Sequence, residues 1–99
     1  MAIYTYNDSF IIDSVDSVEI DNAEANAILE VEKIGIVDEF YKEKSVVSKV
    51  YMTLATLQLD SEGMEQKRKA YERDFNHYIT LAKTNSSTTN VSTIPIARG

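Results

Sequence analysis

Carboxylates are the most abundant side chains here that could do chemistry. Asp13/Asp16, Glu30/Glu32 and Asp38/Glu39 stand close enough to suggest paired acid–base groups. General acid–base catalysis needs one carboxylate of raised pKa in a cleft, with a second reacting group beside it. These pairs instead recur along polar faces with no companion residue type, so no enzyme and no catalytic residue is expected. The cluster Asp13, Asp16, Glu19 and Asp21 supplies hard-cation ligands but lacks the glycine turn and terminal glutamate of a calcium loop. It reads as a solvated acidic edge. Cysteine is absent and His77 is the single histidine, which removes disulfides, thiolate metal sites and cysteine nucleophiles and leaves no histidine-rich metal centre. Gly35 and Gly63 stand apart and make no phosphate-binding loop. No metal and no cofactor is expected.

The one basic cluster is Lys67, Arg68 and Lys69, with Arg73 a turn onward. On the second helix of a hairpin it would weakly resemble a recognition helix. Glu62, Glu65 and Glu72 are interleaved with it, and a net charge of −6 with a pI near 4.6 opposes phosphate binding. A patch that pairs with an acidic protein surface fits better. Residues 1–43 hold eleven acids against Lys33 and Lys42, a balance of −9, whereas residues 44–99 sum to +3. Such a split is either two solvated faces of opposite sign or an acidic surface that meets the basic surface of an identical neighbour, head to tail. His77 reads as a half-exposed surface residue or a pH-sensitive interfacial one. Asn85–Ser86–Ser87 and Asn90–Val91–Ser92 match glycosylation acceptors, but no export signal accompanies them.

The elements that must position these groups belong to one domain of 99 residues. A core of this size is marginal alone and easily supported by neighbouring subunits. No apolar run approaches the roughly 20 residues of a membrane span, and the chain reads as soluble. Residues 1–20 form a lead-in packed on the core, with Asn7 or Asp8 able to cap a short helical turn through Phe10, Ile11 and Ile12. A helix is expected from Asp21, in capping-box relation to Glu24, to about Lys42. Its stripe is Ala27, Ile28, Val31, Ile34, Val37, Phe40 and Tyr41, and Gly35 within it marks a close crossing, a bend or a break. Ser45 to Leu59, capped by Ser45, carries the densest apolar face and is expected to be the central helix. Asp60 or Ser61 then caps a last helix to about Lys83, and the short link between the two makes an antiparallel hairpin. Tyr41, Tyr51, Tyr71, Phe75 and Tyr78 lie on these stripes as core or interface anchors, while Tyr4 and Tyr6 lie outside them and suit an intersubunit contact.

Thr84 to Thr93 has nine polar residues in ten and no period, which reads as a linker. Ile94–Pro95–Ile96 follows, an apolar tip on a polar tether that invites docking on a neighbour. The fold expected is therefore all-α: a small bundle of three to four helices over residues 1–83, with an N-terminal lead-in and, over 84–99, a flexible C-terminal arm.

The order of features resembles a known family. Ile3–Tyr4–Thr5 opens the lead-in; an acid-capped helix rich in small residues (Asn22 to Leu29) runs on to Phe40–Tyr41; a valine, tyrosine and leucine helix follows, and then Lys67 to Ile79. This is similar to the small head–tail connector, or head-completion, proteins of tailed bacteriophages, whose last core helix carries a pattern matched here by Arg68, Tyr71, Glu72, Ile79, Leu81 and Ala82. The likeness covers roughly residues 3–83. It implies a virion protein, assembled in the host cytoplasm, whose copies form a ring, commonly of twelve. The ring would join portal to tail or further connector proteins and extend the channel through which DNA passes. Contacts would then run through Tyr4, Tyr6, Asp13, Asp16, Glu19, the basic patch Lys67, Arg68, Lys69 and Arg73, and the tip Ile94, Pro95 and Ile96. The alternative is a small acidic phage-encoded binding module that inhibits a host DNA-handling protein.

Overall fold

The computed structural model describes residues 2–58 and 61–93, with 85–93 described by backbone alone. Four helices and no strand are found among the described residues: α1 (Ser9–Ile12), α2 (Ser17–Ile34), α3 (Glu39–Thr56) and α4 (Glu62–Thr93). Helix α3 is central, packing against both α2 and α4. Its face Val46, Val50, Tyr51, Leu54 and Ala55 is buried against Ala27 and Val31 from α2 and Met64, Phe75 and Ala82 from α4. Tyr51 stacks on Tyr71 with ring centres 4.6 Å apart, and Lys49 lies over the ring of Phe75 at 5.4 Å. As α4 advances α3 recedes, so the two form the antiparallel hairpin expected.

Helix boundaries differ from the sequence reading at both ends of α2, at the start of α3 and at the end of α4. Helix α2 starts four residues before Asp21: Asp16 is its N-cap and makes a full capping box with Glu19, at 3.0 and 3.1 Å. It then stops at Gly35, whose φ of 95° is the left-handed conformation that ends helices cheaply only in glycine. Of the alternatives at Gly35, a break is what occurs. Asp38 restarts the chain as the N-cap of α3, accepting from the amides of Phe40 and Tyr41 at 2.9 and 3.2 Å. Ser45, expected as that cap, is instead fully buried in mid-helix, and residues 42–45 are helical throughout. Salt bridges Lys42–Glu32 and Lys49–Glu30, at 3.2 and 3.5 Å, join α3 to α2 across their exposed rims.

Ser61 caps α4, accepting from the amide of Met64 at 3.1 Å. The helix does not end near Lys83 but continues to Thr93. Residues 84–93 include neither glycine nor proline; extending a helix already nucleated through Ser, Thr and Asn costs only about 0.5 kcal/mol per residue relative to alanine. The α3–α4 register sets the start of α3 level with about residue 84 of α4. The last turns of α4 therefore run past the end of its partner. Ile94, Pro95 and Ile96, the expected docking tip, lie outside the described residues.

Candidate functional site

The lead-in crosses the bundle as a strap, touching α2, then α3, then α4. On α2, Glu24 is only 3% exposed. Its Oε1 accepts from the amide of Ile3 at 2.8 Å, and its Oε2 from the amide of Tyr4 at 2.9 Å and the Tyr6 hydroxyl at 2.7 Å. On α3, the Tyr51 hydroxyl accepts from the amides of Asn7 and Asp8 at 2.7 and 3.0 Å, while the Tyr6 ring meets the Tyr51 ring edge-on. On α4, Asp8 Oδ2 accepts from the Tyr71 hydroxyl in a short hydrogen bond and from Lys67 Nζ at 3.0 Å. Asp8 Oδ1 takes the amide of Phe10 and so caps α1 as well. A segment with no regular backbone ladder thus has its polar groups satisfied by three helices, which is what lets it lie against a core.

The electrostatics follow from these contacts. Burial pushes the Tyr6 hydroxyl well above its usual range, and its bond to the Glu24 carboxylate adds to the shift. Burial and the bond to Asp8 do the same to Tyr71. For Asp8 itself burial works upward, but the hydrogen bonds from Tyr71 and Lys67 and the lysine's charge outweigh it, so the carboxyl is held below its usual range. Both carboxylates are spent on holding the strap.

Beyond the strap, α1 closes the α3–α4 turn end of the bundle. Ile11 is fully buried there, and the Phe10 ring lies so close to Gly63 that a Cβ at that position would come within 2.9 Å of it. Between strap and helices lies a largely apolar cleft of about 470 Å³. Ala2, Tyr4 and Tyr6 line it from the strap, and Ile12, Ser17 and Ile20 from the other side, with Asp21 beside them.

The residues singled out from sequence are distributed as follows. Tyr4 and Tyr6 are bound within the chain by the strap network and at the same time line the cleft. Asp13 is the exposed C-cap of α1, and Asp16 and Glu19 are the capping box of α2. The basic cluster is paired internally: Lys67 with Asp8 at 3.0 Å, Arg68 with Glu65 and Glu72 at 3.1 and 2.9 Å, and Lys69 with Glu65 at 3.9 Å. Arg73 is exposed on α4. Among the described residues no group of three or more His, Asp or Glu is placed to hold a metal ion, and no helix is long and apolar enough to cross a membrane.

Asp8 caps α1 and Tyr51 is a core anchor, as the sequence suggested; sequence reasoning missed the hold that Glu24, Asp8 and Tyr51 have on the strap, and the cleft wall at Ile12 and Ile20. A signal existed for Glu24: it falls beside Ala23 and Ala27 on the inward stripe of α2, a place for an acid that serves a buried partner. It also missed the exposed apolar side chains at the two ends of the bundle. Phe10, Val18 and Leu57 lie at the α3–α4 turn end, and Val37 and Phe40, 83% and 57% exposed, lie at the α2–α3 end. No protein-family model, no curated protein and no solved structure matches this chain.

Proposed function

We propose that this chain is a structural subunit that works by interface complementarity and without catalysis, as a ring component of a tailed-phage virion that joins portal to tail and extends the DNA channel. The observation that carries this reading is the pair of apolar ends. Phe10, Val18 and Leu57 at one end and Val37 and Phe40 at the other leave apolar surface that a neighbouring copy would cover. Two different patches on one subunit suit a head-to-tail contact, which forms a ring where the rotation between copies closes. The lengthened α4 and the −9/+3 division of charge support the same arrangement, as does the resemblance to connector proteins over residues 3–83.

Duplex binding through Lys67, Arg68 and Lys69 is disfavoured, since each has a carboxylate partner within the chain. The acidic binding module keeps one specific support, the exposed carboxylates of Asp13 and Asp16. Electron micrographs of the purified protein, alone and mixed with portal-bearing particles, test the leading reading. Closed rings, and their appearance at the portal vertex, are expected. Particles of single-subunit size that never join the portal contradict it. One-to-one capture by a DNA-handling protein, lost in Asp13→Asn/Asp16→Asn, would point to the binding module instead.

A further inference from the structure

The cleft beneath the strap and the apolar tip beyond α4 have matching chemistry. The cleft offers two tyrosine rings and two isoleucines, and aromatic-lined grooves accept proline-containing segments because such segments are already extended and lose little entropy on binding. Ile94–Pro95–Ile96 is the only segment of the chain that contains proline. Charge agrees as well: Asp13 and Asp16 stand exposed next in sequence to the cleft residues Ile12 and Ser17, and Arg98 follows the tip by two residues.

Distance decides which copy's tip is involved. Tyr6, at the cleft, packs on Tyr51, which stacks on Tyr71 of α4. From Tyr71 to Thr93 the chain is helical throughout, which places Thr93 about 33 Å up the helix at roughly 1.5 Å per residue. The three residues Ile94–Ile96 span at most about 10 Å even when fully extended. Measured from Tyr71, that length favours the tip of another copy over return to the same subunit's Tyr6.

We infer that the cleft formed by Tyr4, Tyr6, Ile12 and Ile20 is the receptor for the Ile94–Pro95–Ile96 segment of a second copy of this chain. This rests on the proposed self-assembly and names one of its contacts. Each subunit carries one tip segment and one cleft, so every copy both gives and receives. Hydrophobic burial of the two isoleucines supplies the attraction, and the acids beside the cleft select a segment followed by arginine.

The chain's lack of cysteine makes disulfide trapping clean. Ser17 is exposed at the cleft, so Ser17→Cys leaves the core alone. Full-length Ser17→Cys and Ile96→Cys proteins, mixed and oxidised, should give a cross-linked pair. The double variant should give a ladder of dimers and longer chains. Adding Ile94→Asp to the tip partner should cut the yield at least tenfold, and Glu72→Cys in place of Ser17→Cys should give only that lower yield. Closure within a single chain, or a yield no greater than that of the Glu72→Cys control, overturns the inference. Rings that form while this cross-link fails would sink the contact and spare the assembly. Wild-type protein that never self-associates would sink both.

Discussion

The Tyr6 hydroxyl reaches Glu24 at 2.7 Å across eighteen residues of sequence, and the same carboxylate takes the amides of Ile3 and Tyr4. One buried acid therefore fixes the whole start of the strap, and with it one wall of the cleft. Glu24→Ala leaves two amides and a hydroxyl without an acceptor, and is expected to cost about 2–4 kcal/mol in urea unfolding. Amide exchange should show Ile3 and Tyr4 unprotected while Val50 and Leu54 open only with the whole bundle. Glu24→Gln keeps one acceptor oxygen and should fall between wild type and alanine. An unchanged unfolding midpoint in Glu24→Ala would mean that the strap is held by something else.

Asp8 gives the protein an acid limb. Its folded pKa is below the unfolded value of about 3.9, so its contribution is fully present above that pH and is lost as pH falls through the folded value. Tyr71→Phe removes a donor to the carboxylate, which raises the folded pKa and moves the acid unfolding midpoint upward. Asp8→Asn should flatten the acid limb. Unfolding midpoints measured from neutral pH downward distinguish the three proteins.

Tyr6 and Tyr71 give an alkaline limb of opposite sign. Both hydroxyls are raised above the ordinary 10.0, so the stability they confer is complete below that pH and is lost as pH rises beyond it. Tyrosinate absorbance should show Tyr6 and Tyr71 ionising only as the protein unfolds, as Tyr6→Phe and Tyr71→Phe identify them. Six tyrosines titrating together near pH 10 in folded protein would contradict the network.

Ser45 has no exposed surface, and its hydroxyl finds no hydrogen-bond partner among the described residues. Removing a buried hydroxyl that bonds to nothing relieves a desolvation cost, and alanine is also the better helix former. Ser45→Ala should therefore stabilise the protein by about 1 kcal/mol in thermal or urea unfolding. Ser45→Val, which adds bulk where α3 is tightly packed, should destabilise it by about 1–3 kcal/mol.

Gly35 and Asp38 together separate α2 from α3. Gly35→Ala forces a side chain onto a φ of 95° and should cost about 1 kcal/mol. Asp38→Ala removes the acceptor for the amides of Phe40 and Tyr41 and should cost a similar amount, about 1 kcal/mol. Thermal unfolding of the two variants tests whether this corner is fixed by local chemistry.

These positions also show what could be read beforehand. The central helix and its antiparallel partner were legible because Val46, Val50, Leu54 and Met64, Phe75, Ala82 follow the helix period without interruption. The start of α2 was not, because the acid–x–x–Glu pattern occurs twice, at Asp16–Glu19 and Asp21–Glu24. Local chemistry cannot choose between them; packing does, since Glu24 turns inward to the strap and leaves Asp16 as the cap. The corner at Gly35 was marked in sequence, but the apolar period runs on through Val37, Phe40 and Tyr41 and disguised the break. The cleft could not be read at all: its two sides come from segments with no shared periodicity, and they meet only because Glu24, Tyr51 and Asp8 hold the strap in place.

The central claim is that the subunit is built to be covered by copies of itself. Light scattering coupled to size separation, run across a wide concentration range, measures this directly. The account predicts a discrete closed assembly, of about twelve copies where the connector likeness holds, that weakens when Phe40→Ser exposes less apolar surface at the α2–α3 end. A mass of 11.2 kDa at every concentration would contradict it.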